Sequence, residues 1–197
     1  VDSNGIVDLG KFKDSLREDT LLVSIMHVNN ETGTIQPIDQ IKNILRDKHS
    51  NAFFHVDAVQ SFGKIPLHPV QSGIDLVTLS SHKLHGPKGA GALYVGQNAH
   101  LKPLLHGGGQ ESELRPGTEN LPGIVGFAKA VEIGFQDVVV KQNALRDRKY
   151  TLEKQIVSTI RDVQVNTPAN PHSAPHILNV TFSGLQGEVL LRKLESA

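Results

Sequence analysis

The 197 residues include no cysteine. That excludes disulfides, thiolate metal sites and a cysteine nucleophile within the chain, and leaves thiol usage silent on the redox compartment. A charge excess is missing too. Twenty basic and twenty acidic side chains cancel, so no net field favours nucleic acid or an anionic membrane as the main partner. No apolar run approaches the roughly twenty residues of a membrane-spanning helix. There is no methionine at position 1, as expected for a piece of a longer polypeptide, a processed chain or an omitted start. Val1-Asp2-Ser3-Asn4-Gly5 opens with polar turn residues rather than the basic and apolar regions of a signal peptide. What is present is a hydrophobic content of 38%, enough for the core of one large domain, or of one domain and part of another.

Strand and helix patterns alternate along the chain. Asp8 caps a short helix whose Leu9, Phe12 and Leu16 share one face. Leu21 to Met26 is a nearly continuous apolar run, the pattern of a strand buried on both faces, and it leads into the polar turn Asn29-Asn30-Glu31-Thr32-Gly33. Pro37 suits a helix start, with Ile38, Ile41, Ile44 and Leu45 as its stripe. Ala52 to Val56 forms the next strand and ends on Asp57; Ile74 to Leu79 and Gly91 to Val95 form two more. Lys64 to His68 is too short and proline-marked for a central strand and is expected as an edge piece or connection. Gly107-Gly108-Gly109 and Arg115 to Asn120 belong to an irregular stretch, either a plain flexible loop or a close approach to a ligand or neighbouring subunit. From Pro122 to about Arg161 the pattern is one long helix, more charged in its second half, which suits a link between two domains. Thr167 to Pro171 is a loop, His176 to Phe182 a strand and Gly187 to Glu195 a further helix. The fold class is therefore an open α/β sheet, whose ligands sit at the carboxyl ends of the strands.

Asn30, Asp57 and Lys83 each follow a predicted strand, so all three are placed to reach one crevice. Taken singly they are ordinary: Asp57 a turn or cap residue, Gln60 a surface one, His82 a satisfied polar group, Lys83 a solvated charge. The order strand-Asp-x-x-Gln followed by strand-Ser-x-His-Lys carries more. It assembles what pyridoxal phosphate needs: an amine for a Schiff base at Lys83, a carboxylate at Asp57 to keep the pyridine nitrogen protonated, and Gln60 for the phenolic oxygen. Ser80 and His82 supply contacts for the phosphate.

Four stretches in this order resemble one family. They are Met26-His27-Val28-Asn29-Asn30-Glu31-Thr32-Gly33, His55-Val56-Asp57-Ala58-Val59-Gln60-Ser61, Ser80-Ser81-His82-Lys83-Leu84-His85-Gly86-Pro87-Lys88-Gly89, and His106-Gly107-Gly108-Gly109-Gln110-Glu111 with Arg115-Pro116-Gly117-Thr118. The chain is similar, along its whole length, to the cysteine desulfurases of the NifS and IscS type, which are fold-type-I pyridoxal phosphate enzymes. The resemblance implies part of a mostly parallel seven-stranded sheet. Residues 1–140 would be the second half of the large cofactor domain, and 141–197 the beginning of a small α+β C-terminal domain. It makes Lys83 the cofactor-bearing catalytic lysine, Asp57 the pyridine partner, Gln60 the phenolic contact and Ser80 and His82 phosphate ligands. Asn30 would lie beside the cofactor and the substrate carboxylate. Thr118 would reach the phosphate held by the other subunit of a homodimer. The implied reaction takes sulfur from L-cysteine, leaving L-alanine and an enzyme persulfide, in the cytoplasm, for an iron-sulfur scaffold or another sulfur acceptor.

The departures are as informative. The family carries an upstream phosphate-binding turn and a histidine stacked on the cofactor ring, and downstream a nucleophilic cysteine and a substrate-binding arginine. Nothing here matches the upstream segment, and the zero cysteine count leaves the nucleophile outside this chain. The chain is therefore expected to be an internal fragment, inactive by itself, with apolar surface exposed where its neighbours are missing. Selenocysteine lyase, whose cofactor motifs are similar, and a non-catalytic dimerisation or scaffold piece are the alternatives.

Overall fold

The computed structural model describes residues 1–196. Its sheet is built from β1 (Leu22–Met26), β2 (Phe53–Asp57), β3 (Leu76–Ser80) and β4 (Gly91–Val95), in that spatial order. The first three run parallel, with Ser24 beside His55 and Asp57 beside Thr78, and β4 returns antiparallel to β3. A parallel step needs a crossover, and α2 (Ile38–Asp47) supplies the one between β1 and β2. It presses Ile38, Ile41 and Leu45 onto Val23, Phe54, Val56 and Val77. The preceding α1 (Leu9–Ser15) adds Leu9 and Phe12 to the same core. Its N-cap is Asp8, whose carboxylate accepts from the Lys11 N–H at 3.0 Å. Burying each large aliphatic or aromatic side chain contributes about 1.5–3 kcal/mol, so this single face holds most of the sheet's stability.

Because side chains alternate along a strand, Phe54 and Val56 point into that core while Phe53, His55 and Asp57 lie on the opposite face. Among the described residues no helix covers the opposite face: Leu22 is 53% exposed, Phe53 39%, Met26 39% and Leu93 49%. The expectation that Leu21 to Met26 is buried on both faces is corrected here. The run is apolar on both sides, but β1 is an edge strand and only its Val23 side meets helices. The sheet has four strands among the described residues, in keeping with the expected part of a mostly parallel sheet.

The segment read as one long helix is two, α3 (Leu121–Gly134) and α4 (Val138–Thr159). The break comes at Asp137, whose φ of 52° is left-handed. Packing gives the reason. Gly134 lies against Leu84, where a Cβ would approach Leu84 Cδ1 to 2.8 Å. Next to it, Phe135 turns its ring onto Phe62, with centroids 5.1 Å apart. Phe127 meets the same ring edge-on at 6.4 Å. Beyond α4, β5 (Val163–Val165) pairs antiparallel with β6 (Val180–Phe182), and α5 (Gly187–Glu195) follows. The expected strand over His176 to Phe182 is thus limited to its last three residues, and β5 lies in a stretch given no strand beforehand. Asn179 still joins the neighbouring segment, its N–H donating to Thr167 Oγ1 at 2.7 Å.

Candidate active site

The carboxyl ends of β2 and β3 lie side by side, and the sequence places its polar residues there. Asp57 closes β2 on the face that carries no helix. Its Oδ1 accepts from the Val59 N–H at 2.9 Å, which fixes the carboxylate and leaves Oδ2 free for another donor. Thr78 is Asp57's partner in register, so Ser80 lies one strand across and two residues along on the same face. That is a separation of roughly 8 Å from strand spacing and rise. Ser80 Oγ and His82 Nδ1 are 2.7 Å apart and form a hydroxyl–imidazole pair at the strand end.

Lys83 sits in a single 3₁₀ turn, Ser81–Leu84, which reverses the chain from β3 into antiparallel β4. The turn is closed by His85, at a φ of 64°, whose N–H bonds the Ser81 carbonyl. Gly86 follows so close to Ser81 that a Cβ would stand 2.1 Å from Ser81 Oγ. Leu84 points down into the space between Gly63 and Gly134, anchoring the turn, while the Lys83 side chain stays exposed. Gly63, at a φ of 71°, passes within what would be 2.5 Å of Leu84 Cδ1 if it bore a Cβ.

Asn30 is exposed at the end of β1, its Nδ2 donating to Glu31 Oε1 at 3.1 Å. Gln60 is half-buried in the turn after Asp57. Asp57, Gln60, Ser80, His82 and Lys83 thus gather on adjoining strand ends, with Asn30 on the next strand over. Thr118 does not join them: it is exposed in the loop before α3 and bonds to none of the group among the described residues.

Three side chains absent from the sequence reading also stand here. Lys64 Nζ donates to the Lys83 carbonyl at 2.7 Å. Burial, and then the charge of Lys83, hold the Lys64 ammonium below the ordinary lysine range. Lys149 of α4 donates to Ser173 Oγ and, at 2.7 Å, to the Ala174 carbonyl. His176 lies near the Gln60 backbone, but no hydrogen bond of normal geometry forms, and both ring nitrogens lack a partner among the described residues. Burial first, then the charges of Lys64 and Lys149, push its pKa down to about 4, so the ring is neutral. The only sequence signal for these residues is a lysine after Gly63 in a segment otherwise read as a connection; the other two lie in α4 and in the mis-assigned strand.

The open α/β sheet brings an amine, a carboxylate and a hydroxyl–imidazole pair to the carboxyl ends of adjoining strands, the place where sheets of this class bind their ligands. The family model for class-V aminotransferases matches residues 1–197, and the chain belongs to that family. Class-V aminotransferases are pyridoxal phosphate enzymes. A cysteine desulfurase of Nostoc sp. is 46% identical over 197 residues, covering 98% of this chain and 48% of that protein. The cysteine desulfurase IscS of Dictyoglomus turgidum is 40% identical over 195 residues, covering 99% of this chain and 49% of its own. The solved structure of a NifS-like protein superposes with a TM-score of 0.94 at 39% identity, over 98% of this chain and 52% of that one. The fold is therefore that of the NifS-like proteins. The chain spans about half the length of the curated relatives it matches.

Proposed function

We propose that this chain is the cofactor-lysine half of a pyridoxal-phosphate-dependent cysteine desulfurase, which takes sulfur from L-cysteine and leaves L-alanine. The observation that carries the reading is the juxtaposition of Asp57 with Ser80, His82 and Lys83 on neighbouring strand ends of one sheet face. The donor set fits the cofactor. Asp57 Oδ2 is free to accept from a pyridinium N–H, because Oδ1 is already engaged by Val59. Ser80 and His82, bonded to each other, keep one further donor to offer a phosphate oxygen. The exposed Lys83 amine would anchor the cofactor covalently. Gln60 adds an amide donor, and Asn30 one for the substrate carboxylate. Bound pyridoxal phosphate supplies the electron sink that labilises the substrate.

The acceptor of the substrate's sulfur would be a thiolate from outside these 197 residues, forming an S–S bond as the C–S bond breaks and leaves its electron pair on carbon, since the chain has no cysteine. The parent forms a cytoplasmic homodimer in which Thr118, exposed here, serves the partner's phosphate, and its persulfide feeds an iron-sulfur scaffold or another acceptor. Residues 1–140 belong to the cofactor domain and 141–197 open the small one.

Titration of the purified chain with pyridoxal phosphate tests the reading. A visible absorption band develops in the native chain and is abolished in Lys83→Ala; no band in either would favour a non-catalytic dimerisation piece, the second reading that the missing thiol supports. Incubated with cysteine, the chain releases no sulfide above the level of free cofactor, and sustained turnover would refute the assignment of the nucleophile to another segment.

A further inference from the structure

Lys64 is held by a compact stack of turns. Its own N–H and that of Ile65 both reach the Ser61 carbonyl at 2.8 Å, and Phe62 N–H reaches Ala58. From there its side chain crosses to the lysine turn, where Nζ donates to the Lys83 carbonyl. That carbonyl lies near the end of a 3₁₀ turn, where the last carbonyls have no partner within the turn and a nearby lysine side chain is a recurrent solution. Ser81 is satisfied differently, by the N–H groups of His85 and Gly86. On its other side, Lys64 receives at its backbone carbonyl a hydrogen bond from Gln142 Nε2 of α4. A neutral amide would serve to bond a carbonyl, yet the residue here is a half-buried cation. Among the described residues no carboxylate stands within ion-pair distance of it. Such a charge is costly to bury, which suits a group whose work is directed at the neighbouring amine.

We propose that Lys64 is a positioning residue that locks the Lys83 turn through its bond to the Lys83 carbonyl, and that Gln142 ties this lock to α4. The proposal rests on the reading of Lys83 as the cofactor lysine. It deepens that reading by naming the group that holds Lys83 in place and the helix from which the hold is braced.

The test compares the 197-residue chain with Lys64→Met, Lys64→Arg and Lys83→Ala. Lys64→Met keeps the length of the stem and removes the donor and the charge; Lys64→Arg keeps both. Amide hydrogen exchange is followed across residues 81–86 without cofactor, and pyridoxal phosphate affinity is read from the visible band. Lys64→Met exchanges about tenfold faster across the turn and binds the cofactor about tenfold more weakly, the usual consequence of losing one hydrogen bond from a charged donor. Its far-ultraviolet circular dichroism and the exchange of α2 amides stay native. Lys64→Arg recovers both turn exchange and affinity. Native exchange and affinity in Lys64→Met, or no recovery in Lys64→Arg, overturns the proposal. If native chain and Lys83→Ala alike form no band, the functional reading falls instead, and the exchange comparison without cofactor still decides the role of Lys64.

Discussion

His27 is one of two imidazoles, with His176, whose burial couples this fold to pH. It is 6% exposed, its Nδ1 has no partner among the described residues, and burial lowers its pKa to about 4 against a weaker opposing pull from Asp39. In the unfolded chain the ring takes up a proton as pH falls below its ordinary 6.5, while in the folded chain it resists until about 4. The stability contributed by its neutral form is therefore complete above 6.5 and lost progressively between 6.5 and 4. The full shift is worth on the order of 3 kcal/mol. We expect the urea midpoint to fall steeply across that window, and His27→Gln to remove about half of the dependence, the rest coming from His176, which is lowered to the same range; an unchanged slope in His27→Gln would exclude His27 as a contributor. At the same scale, Asp57→Asn retains a side chain able to accept from Val59 but loses the charge that, on the proposed reading, would pair with a pyridinium. About tenfold weaker cofactor binding, with an unchanged melting temperature, is the expected result.

Among the elements, the 3₁₀ turn and α3 form one unit. Leu84 fills the space between Gly63 and Gly134, and Phe127 and Phe135 close on Phe62 beside it. Phe127→Ala removes most of a ring that is only 8% exposed and should cost about 3–5 kcal/mol in denaturant unfolding. Gly86→Ala is a more local probe. Its new methyl group meets Ser81 Oγ, the Ser81 carbonyl and Ala130 Cβ, at 2.1, 3.2 and 3.1 Å. The turn must shift, so cofactor affinity should fall further than stability does. Equal losses in both would mean that the turn and the fold fail together. The α3–α4 break belongs to this scale as well. The helical period runs through Phe135 to Asp137 without proline, so the docking of Gly134 on Leu84 of the lysine turn and of Phe135 on Phe62 accounts for the end of α3 there.

For the whole molecule the defining feature is a sheet clothed on one face. Leu22, Met26, Phe53 and Leu93 remain 39–53% exposed on the other, and Leu104 in the long loop is 95% exposed. Apolar surface of this kind drives association. The isolated chain should show a concentration-dependent mass in analytical ultracentrifugation, reduced by the double change Leu22→Ser and Phe53→Ser; a monomer at all concentrations would contradict this.

Much of the architecture was legible in the residues. The cap at Asp8, the stripe of α2 and the apolar runs of β1 to β4 act over a few neighbouring positions, so periodicity and capping chemistry are enough to find them. The site was legible in part, because Asp57, Ser80 and Lys83 follow strands and parallel strands bring their ends together. Lys64, Lys149 and His176 were not, since each acts through a neighbour 19 or more positions away: Lys64 through Lys83, Lys149 through Ser173 and Ala174, His176 beside Gln60. The same holds for the false continuity of α3 and α4 and for the supposed burial of both faces of β1. The sequence by itself determined most of the segments that fold and which residues are candidates for the chemistry, because those properties depend on local period and side-chain type. Only the tertiary structure decided which face of the sheet is clothed, where α3 ends, and that the carbonyl of Lys83 is held by the amine of Lys64. Packing between distant segments obeys shape and the need to satisfy buried polar groups, and neither is written in the spacing of one stretch of chain.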